Sequence, residues 1–247
     1  MSEELIYRIV EEAEGYPYDL REDAFLFQAG ETRPHEPAHL EGRTPVLAIG
    51  SNGAPARLAR KFGPDAVVPV VPAQLHDFAI VYAAAVTSYG SVPATLVEAP
   101  RATALVAVTY LDEAQLQVMH GTEHLGRNYE LVELGGRITT DDGPVAGPVL
   151  AYRSLYGALR INGTPVRLAE IPTVGTPFGA AYQSGVLALL HHRFADPGEI
   201  YAAFIGDLVA APARRARIMA AMAEGLNTAR PRAQAPPRSA LGARSSA

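Results

Sequence analysis

Apolar and polar positions follow two kinds of spacing along the chain, which predict helices near both ends and short strands between them. Residues 3–14 place apolar side chains at helical spacing, and residues 45–49 form a continuous apolar run that is typical of a strand. Further strands are predicted at 66–71, 78–86, 94–97, 104–111, 129–134, 151–160 and 164–171, and further helices at 113–120, 180–193 and 198–225. Several short strands followed by helices favour an α+β fold.

Turn-forming residues mark the borders of these elements. Residues 15–44 contain three glycines and three prolines, so they are predicted to be an irregular connector. Asn162-Gly163 is a strong signal for a hairpin turn, and Asp112 is a favourable N-cap for the helix that follows it.

A glycine-bearing loop, Gly50-Ser51-Asn52, joins the strand at 45–49 to a helix that begins near Pro55. Backbone N–H groups at a strand-to-helix turn can bind a carboxylate or a developing oxyanion, and glycine lets the backbone approach a ligand. The same tripeptide also forms ordinary turns, so the pattern by itself leaves a purely structural role open.

The composition excludes several classes of function. Hydrophobic residues make up 48% of the 247 residues, which is enough for a substantial core. The absence of cysteine excludes disulfides, thiolate catalysis, zinc–cysteine sites and iron–sulfur clusters. No apolar run reaches the ~18 residues of a membrane span, and the acidic start lacks the apolar region of a signal peptide. We therefore expect a cytoplasmic protein that does not contact a membrane.

Charge is distributed unevenly along the chain. Residues 1–36 carry ten acidic residues against three arginines, whereas residues 227–247 carry four arginines and no acidic residue. Such segments can be partner-binding arms, but a solvated tail explains the second one more simply. Four charges are few for a phosphate-binding surface, so we expect no nucleic-acid partner. The sequence leaves the oligomeric state open.

One short motif points to metal chemistry. His120, Glu123 and His124 match the H-x-x-E-H pattern of inverted zinc hydrolases, in which two histidines on one helix face bind zinc and the glutamate is the base. Gly121 weakens the helix inside the motif, and no third ligand stands out. A histidine near a helix end is the alternative interpretation.

Read in order, the segments resemble the gamma-glutamylcyclotransferase-like family over roughly residues 45–210. The matching segments are Ile49-Gly50-Ser51-Asn52, Leu75-His76-Asp77-Phe78, the stretch from Gly90 to Val97, Val108-Thr109-Tyr110-Leu111, Glu123, Tyr129, and Pro177 with Tyr182. The resemblance implies a small, curved, mixed β-barrel with flanking helices, and a cavity that receives a γ-glutamyl group.

The resemblance also implies a reaction. The α-amine of the γ-glutamyl group attacks its own side-chain amide, which gives 5-oxoproline and releases an amine or amino acid. Glu123 would be the general acid/base. The substrate-binding residues would be Ile49, Gly50, Ser51, Asn52 and Tyr129. The substrate would be a small γ-glutamyl amine or peptide, and neither a metal nor a cofactor would be needed.

This chain departs from the family pattern at two positions, because Ile49 replaces a tyrosine and Ala107 replaces a glycine. The implied organisation is an acidic N-terminal extension (1–44), a gamma-glutamylcyclotransferase-like domain (45–226) and a disordered basic tail (227–247). Two alternatives stay open. The first is a catalytically inactive module of the same fold that binds a ligand or partner, and the second is a zinc hydrolase that uses His120, Glu123 and His124.

Overall fold

The computed structural model describes residues 2–226; the tail predicted over 227–247 lies outside the described residues. The described chain has six α-helices: α1 (Glu3–Glu14), α2 (Pro55–Phe62), α3 (Glu113–Thr122), α4 (Gln183–Phe194), α5 (Tyr201–Ala210) and α6 (Pro212–Ala223). Two short 3₁₀ helices lie at Pro37–Leu40 and Ser51–Gly53. Its strands are β1 (Phe25–Gln28), β2 (Glu31–Arg33), β3 (Thr44–Ala48), β4 (Val68–Tyr82), β5 (Ala94–Leu111), β6 (Tyr129–Glu133), β7 (Ile138–Thr140), β8 (Gly143–Pro144), β9 (Leu150–Ser154), β10 (Arg160–Ile161), β11 (Thr164–Pro165), β12 (Arg167–Leu168), β13 (Thr173–Val174) and β14 (Ala180–Ala181).

The central feature is a large mixed sheet built on the antiparallel pair β4 and β5. Its main strand path runs β14-β12-β4-β5-β3-β9-β6, with β3–β9 and β12–β14 parallel. The α+β class predicted from the sequence is therefore confirmed. Over residues 2–226 the two ends of this path do not pair with each other, so the closed barrel implied by the resemblance is not confirmed.

Both central strands are longer than predicted. The strands predicted at 66–71 and 78–86 belong to the single strand β4 as far as Tyr82, and those predicted at 94–97 and 104–111 are both part of β5. The pairing register shifts at Asp77, whose φ is 61°, and the Asp77 Oδ1 atom accepts a hydrogen bond of 2.8 Å from the Arg101 backbone N–H. Two strands were predicted in each case because this bulge interrupts the alternation of side chains.

The irregular connector predicted over 15–44 is wrong for residues 25–33. Strand β1 pairs with both β2 and β4, and its Phe25 and Phe27 side chains are buried. Helix α1 forms where it was predicted and contacts α5, while Ala13 and Tyr16 are buried in the same hydrophobic core as the central sheet. Strands β1 and β2 are only four and three residues long, so they give little periodic signal and tertiary pairing decides their structure.

Several other sequence predictions are confirmed. Strands β3 and β6 and helix α3 form at the predicted places. Asn162 and Gly163 form the turn between β10 and β11, with φ values of 52° and 80°. The helical region predicted as two helices at the C-terminal end contains three, because a further break at Ala211 separates α5 from α6.

The two largest of the three hydrophobic clusters in the described residues pack the helices against the sheet. The larger one packs Leu187, Leu190 and Phe204 of the C-terminal helices with Ile80 and Tyr82 of β4. The smaller one joins α2 and α3 to the sheet through Phe25, Phe27, Leu58, Leu116 and Met119. Burial of each such side chain contributes roughly 1.5–3 kcal/mol, so the second cluster fixes α2 and α3 side by side.

Candidate functional site

A cleft of about 600 Å³ opens where the loop after β3, the end of α3 and the start of β6 come together. All six residues that the resemblance assigned to the site line this cleft: Ile49, Gly50, Ser51, Asn52, Glu123 and Tyr129. Its volume lies in the usual range for small-molecule sites. These residues come from three separate segments, and the fold brings them to one cavity.

Helix α3 determines where Glu123 lies. The helix begins at a capping box, in which Asp112 Oδ1 accepts from the Gln115 backbone N–H and Gln115 Oε1 accepts from the Asp112 backbone N–H. Buried Leu116 and Met119 anchor one face of the helix. Glu123 is the C-cap, and its backbone N–H donates to Met119 O at 2.9 Å, so the end of α3 directs this residue to the cleft.

The Glu123 carboxylate is held by an amide and an ammonium group. The Asn52 Nδ2 group donates to Glu123 Oε1 at 3.1 Å, and the Lys61 Nζ group donates to the same oxygen at 2.5 Å. Lys61 also donates to Asn52 Oδ1 at 2.9 Å, so the three side chains form a closed triangle. The side chains of Lys61 and Glu123 are only 12% and 16% exposed, and this pairing therefore offsets much of the cost of burying both charges.

Lys61 is a site residue that sequence reasoning missed. It lies in the last turn of α2, the helix that follows the glycine-bearing loop. A lysine in the last turn of a helix is normally explained by the helix dipole, so its position alone did not point to chemistry. The signal that could have identified it is that it is the single lysine among 21 basic side chains.

Four tyrosines surround the carboxylate: Tyr16, Tyr89, Tyr129 and Tyr152. Burial raises the pKa of each phenol, and the negative charge of Glu123 adds to the increase for all four. Phenols with a raised pKa stay protonated at neutral pH. The wall around Glu123 is therefore rich in neutral O–H groups that can donate hydrogen bonds.

The rim of the cleft is cationic. Its lining includes Arg57, Arg60, Lys61 and Arg215, whereas Glu123 is the one carboxylate among the described lining residues. The Arg57 guanidinium lies 3.8 Å from the ring centroid of Tyr18 and 4.8 Å from that of Tyr89, which fixes it by cation–π contacts. Even with Glu12, which pairs with Arg57 and Arg60, the four cations outnumber the two carboxylates, so the rim suits a ligand that carries at least one anionic group.

Tyr16 is a second lining residue that the sequence did not reveal. Ile49, where the family pattern has a tyrosine, is 8% exposed and has no polar side-chain atom. The Tyr16 hydroxyl reaches the adjacent Gly50 from the N-terminal segment and accepts a hydrogen bond of 2.8 Å from the Ala94 backbone N–H. It was missed because residues 15–44 were predicted to be an irregular connector.

The zinc-hydrolase arrangement is not formed. Helix α3 ends at Thr122, and His124 has a left-handed backbone with a φ of 51°, so His120 and His124 do not share the face of one continuing helix. The His120 Nδ1 atom lies 2.6 Å from the Tyr152 hydroxyl. Among residues 2–226, no three histidine, aspartate or glutamate side chains are grouped so as to hold a metal ion.

No helix within residues 2–226 has both the length and the apolar character to cross a membrane.

Comparisons with known proteins give partial structural likenesses. No protein-family model and no curated protein matches the chain. An uncharacterized protein from Homo sapiens is 18% identical over 46% of this chain and 68% of its own, with a TM-score of 0.40. A gamma-glutamyl cyclotransferase is 19% identical over 45% and 66%, with a TM-score of 0.39. A protein from Arabidopsis thaliana is 20% identical over 46% and 70%, with a TM-score of 0.37.

Proposed function

We propose that this chain is a gamma-glutamylcyclotransferase-like enzyme that converts a small γ-glutamyl amine or peptide into 5-oxoproline and a free amine or amino acid. The observation that carries the proposal is the position of the Glu123 carboxylate. It lies in the wall of a 600 Å³ cleft, in contact with Asn52 of the glycine-bearing loop. The order of the motifs along the chain independently suggests the same two residues.

The chemistry requires little more than positioning and proton transfer. The α-amine nitrogen forms a bond to the side-chain carbonyl carbon, and the bond from that carbon to the leaving nitrogen breaks. Because both reacting groups belong to one molecule, holding it folded can supply an effective molarity of roughly 10⁵–10⁸ M. The cleft therefore acts first by enclosing a bent γ-glutamyl chain.

Glu123 would move the proton. The substrate ammonium must lose a proton before its nitrogen attacks, and the leaving nitrogen must gain one, so a single carboxylate can do both without net proton uptake. Asn52 and Lys61 both contact Oε1. In this proposal the second oxygen, Oε2, takes the proton and returns it.

The remaining polar groups would hold the substrate's negative charge. The substrate carries an α-carboxylate, and its amide oxygen becomes an oxyanion during attack. The loop Gly50-Ser51-Asn52 and the Lys61 ammonium lie beside the proposed base and are of the right kind to stabilise such charge. Protonated phenols, such as that of Tyr129, can donate further hydrogen bonds.

One observation favours a second candidate, a module that binds a ligand without converting it. Lys61 Nζ contacts Glu123 Oε1 at 2.5 Å, so one oxygen of the proposed base is already bound to an ammonium group. In this alternative the triangle of Asn52, Lys61 and Glu123 is a rigid wall for a γ-glutamyl compound.

Product formation separates the two candidates. Wild-type protein is incubated with γ-glutamyl amino acids, γ-glutamyl peptides and γ-glutamyl alkylamines, and 5-oxoproline is measured. We expect turnover of at least one compound and a loss of about 10²–10⁴-fold in kcat for Glu123→Gln. Glu130→Gln is the matched control, because Glu130 lies on β6 in an exposed pair with Arg153. Binding without turnover would favour the second candidate, and a fully active Glu123→Gln would exclude Glu123 as the base.

A further inference from the structure

The N-terminal segment contributes a wall of the cleft. Glu12, in the last turns of α1, lies 3.3 Å from Arg57 and 2.9 Å from Arg60, both on α2. The buried Ser91 hydroxyl donates to Ala13 O at 2.9 Å. Tyr16, three residues after Ala13, lines the cleft. The segment is thus fixed at several points, and the Tyr16 ring is held in one place.

The Tyr16 hydroxyl has one hydrogen-bonding function used and one open. Its oxygen accepts from the Ala94 backbone N–H at 2.8 Å. Among the hydrogen bonds of residues 2–226, none has the Tyr16 O–H as donor. A phenol can donate one hydrogen bond as well as accept, and a buried donor normally has a partner. The open donor is therefore available to an acceptor that enters the cleft.

Gly50 permits the hydroxyl to come this close. A Cβ atom built at Gly50 would lie about 2.1 Å from the Tyr16 hydroxyl oxygen, a distance that real Cβ contacts do not reach. The loop therefore needs glycine here because the phenol occupies the space of a side chain. As a result, the Tyr16 O–H lies at the loop that the proposed function assigns to the substrate.

The electrostatic surroundings keep this hydroxyl protonated. Burial raises the pKa of Tyr16 well above its usual value, and the nearby Tyr129, Tyr89 and Glu123 add to the increase.

We propose that Tyr16 is a substrate-binding residue, whose O–H donates a hydrogen bond to a carboxylate or amide oxygen of the γ-glutamyl group beside Gly50. This inference rests on the proposed function. It also assigns a role to the N-terminal segment, because residues 12–16 then form part of the site.

The test compares Tyr16→Phe with Tyr201→Phe in the full chain. Both changes keep the aromatic ring and remove one hydroxyl. The Tyr16 hydroxyl holds the segment after α1 to Ala94, whereas the Tyr201 hydroxyl holds α1 itself by donating to Glu14 Oε1 at 2.7 Å. Tyr201 lies outside the cleft, so it is the matched control. Each variant is expected to lower the thermal midpoint by about 2–6 °C. Only Tyr16→Phe is expected to weaken substrate binding, by about tenfold in KM or in the dissociation constant measured by titration calorimetry.

Binding and turnover of the same γ-glutamyl panel keep the two proposals distinguishable. If wild type converts a compound and Tyr16→Phe does so with unchanged KM, kcat and affinity, the role of Tyr16 is wrong while the proposed function stands. The role is also wrong if Tyr201→Phe weakens binding as much as Tyr16→Phe does, because lost packing would explain both. If wild type neither converts nor binds any compound, the proposed function fails and this inference fails with it.

Discussion

At the scale of single residues, the Lys61–Glu123 pair is the main electrostatic feature of the cleft. Both side chains are largely buried, at 12% and 16% exposure, and both also contact Asn52. A buried pair of this kind contributes little net stability, but removal of one partner leaves the other charge buried without compensation. The two residues should therefore behave as a coupled unit in unfolding experiments.

A double-mutant cycle tests this coupling. We expect Lys61→Met to lower the free energy of unfolding by about 2–4 kcal/mol, because it leaves the Glu123 carboxylate without its cation. In the double variant Lys61→Met/Glu123→Gln part of this loss should be recovered, which gives a coupling energy of about 1–3 kcal/mol. Urea unfolding of the four proteins measures it.

The matched control is the pair Arg8–Glu4 on α1, whose side chains are 71% and 76% exposed. Exposed pairs four residues apart on a helix couple by only about 0.3–0.5 kcal/mol, so the cycle on this pair should give a small value. Equal coupling energies in the two cycles would contradict the importance assigned to burial around Glu123.

Individual site residues were predictable where a motif carried them. Glu123 and Asn52 follow from the family resemblance, and the fold brings them into contact. Lys61 and Tyr16 belong to no motif, since one lies at the end of a helix and the other in a segment with no periodic pattern. Their place in the site depends on the packing of α1 and α2, which a single sequence does not specify.

At the scale of elements, α3 depends on its first turn. The capping box joins Asp112 and Gln115, and Gln115 Nε2 also donates to Val67 O at 3.0 Å, which ties the start of the helix to the chain just before β4. This turn sets the starting position of the helix whose far end carries Glu123. Loss of the cap should therefore weaken the element that supports the site.

We expect Asp112→Ala to lower the free energy of unfolding by about 1 kcal/mol, because the N-terminal N–H groups of α3 lose their acceptor. Thermal or urea unfolding measures the change. Glu113→Ala is the control, because it removes only an exposed hydrogen bond from Gln117 and a first-turn charge, so its loss should stay at about 0.5 kcal/mol or less. Equal losses for the two variants would show that the cap is not what stabilises α3.

The elements also show where sequence patterns stop being informative. The α3 boundaries were predictable because a cap and helical spacing coincide there. The hairpin of β1 and β2 was not predictable, because its strands are only four and three residues long. In addition, the apolar strand β1 pairs with β4, which is distant along the chain. Similarly, β4 and β5 each continue through the bend at Asp77 and Arg101, where local alternation is lost.

At the scale of the whole molecule, the burial of tyrosine links stability to alkaline pH. Burial raises the pKa of Tyr16, Tyr89 and Tyr129 in the folded protein. The charge of Glu123 adds to the increase for all three, and neighbouring phenols add to it for Tyr16 and Tyr129. In the unfolded chain a phenol loses its proton near pH 10. Above that pH the unfolded state binds fewer protons than the folded state, so stability falls as pH rises.

We expect the free energy of unfolding to show no tyrosine-linked loss below about pH 9 and to fall above about pH 10, by up to about 1.4 kcal/mol per pH unit for each fully buried phenol. Tyrosinate absorbance reports the titration without overlap from indole, because the chain has 11 tyrosines and no tryptophan. The absorbance increase of the buried phenols should occur at the pH at which the circular dichroism of the folded protein is lost, because these phenols lose their protons only on unfolding. The free energy of unfolding of Tyr129→Phe should fall less steeply with pH than that of wild type, because one phenol fewer is deprotonated on unfolding. Titration of every phenol while the circular dichroism stays native would contradict this account of the cleft wall.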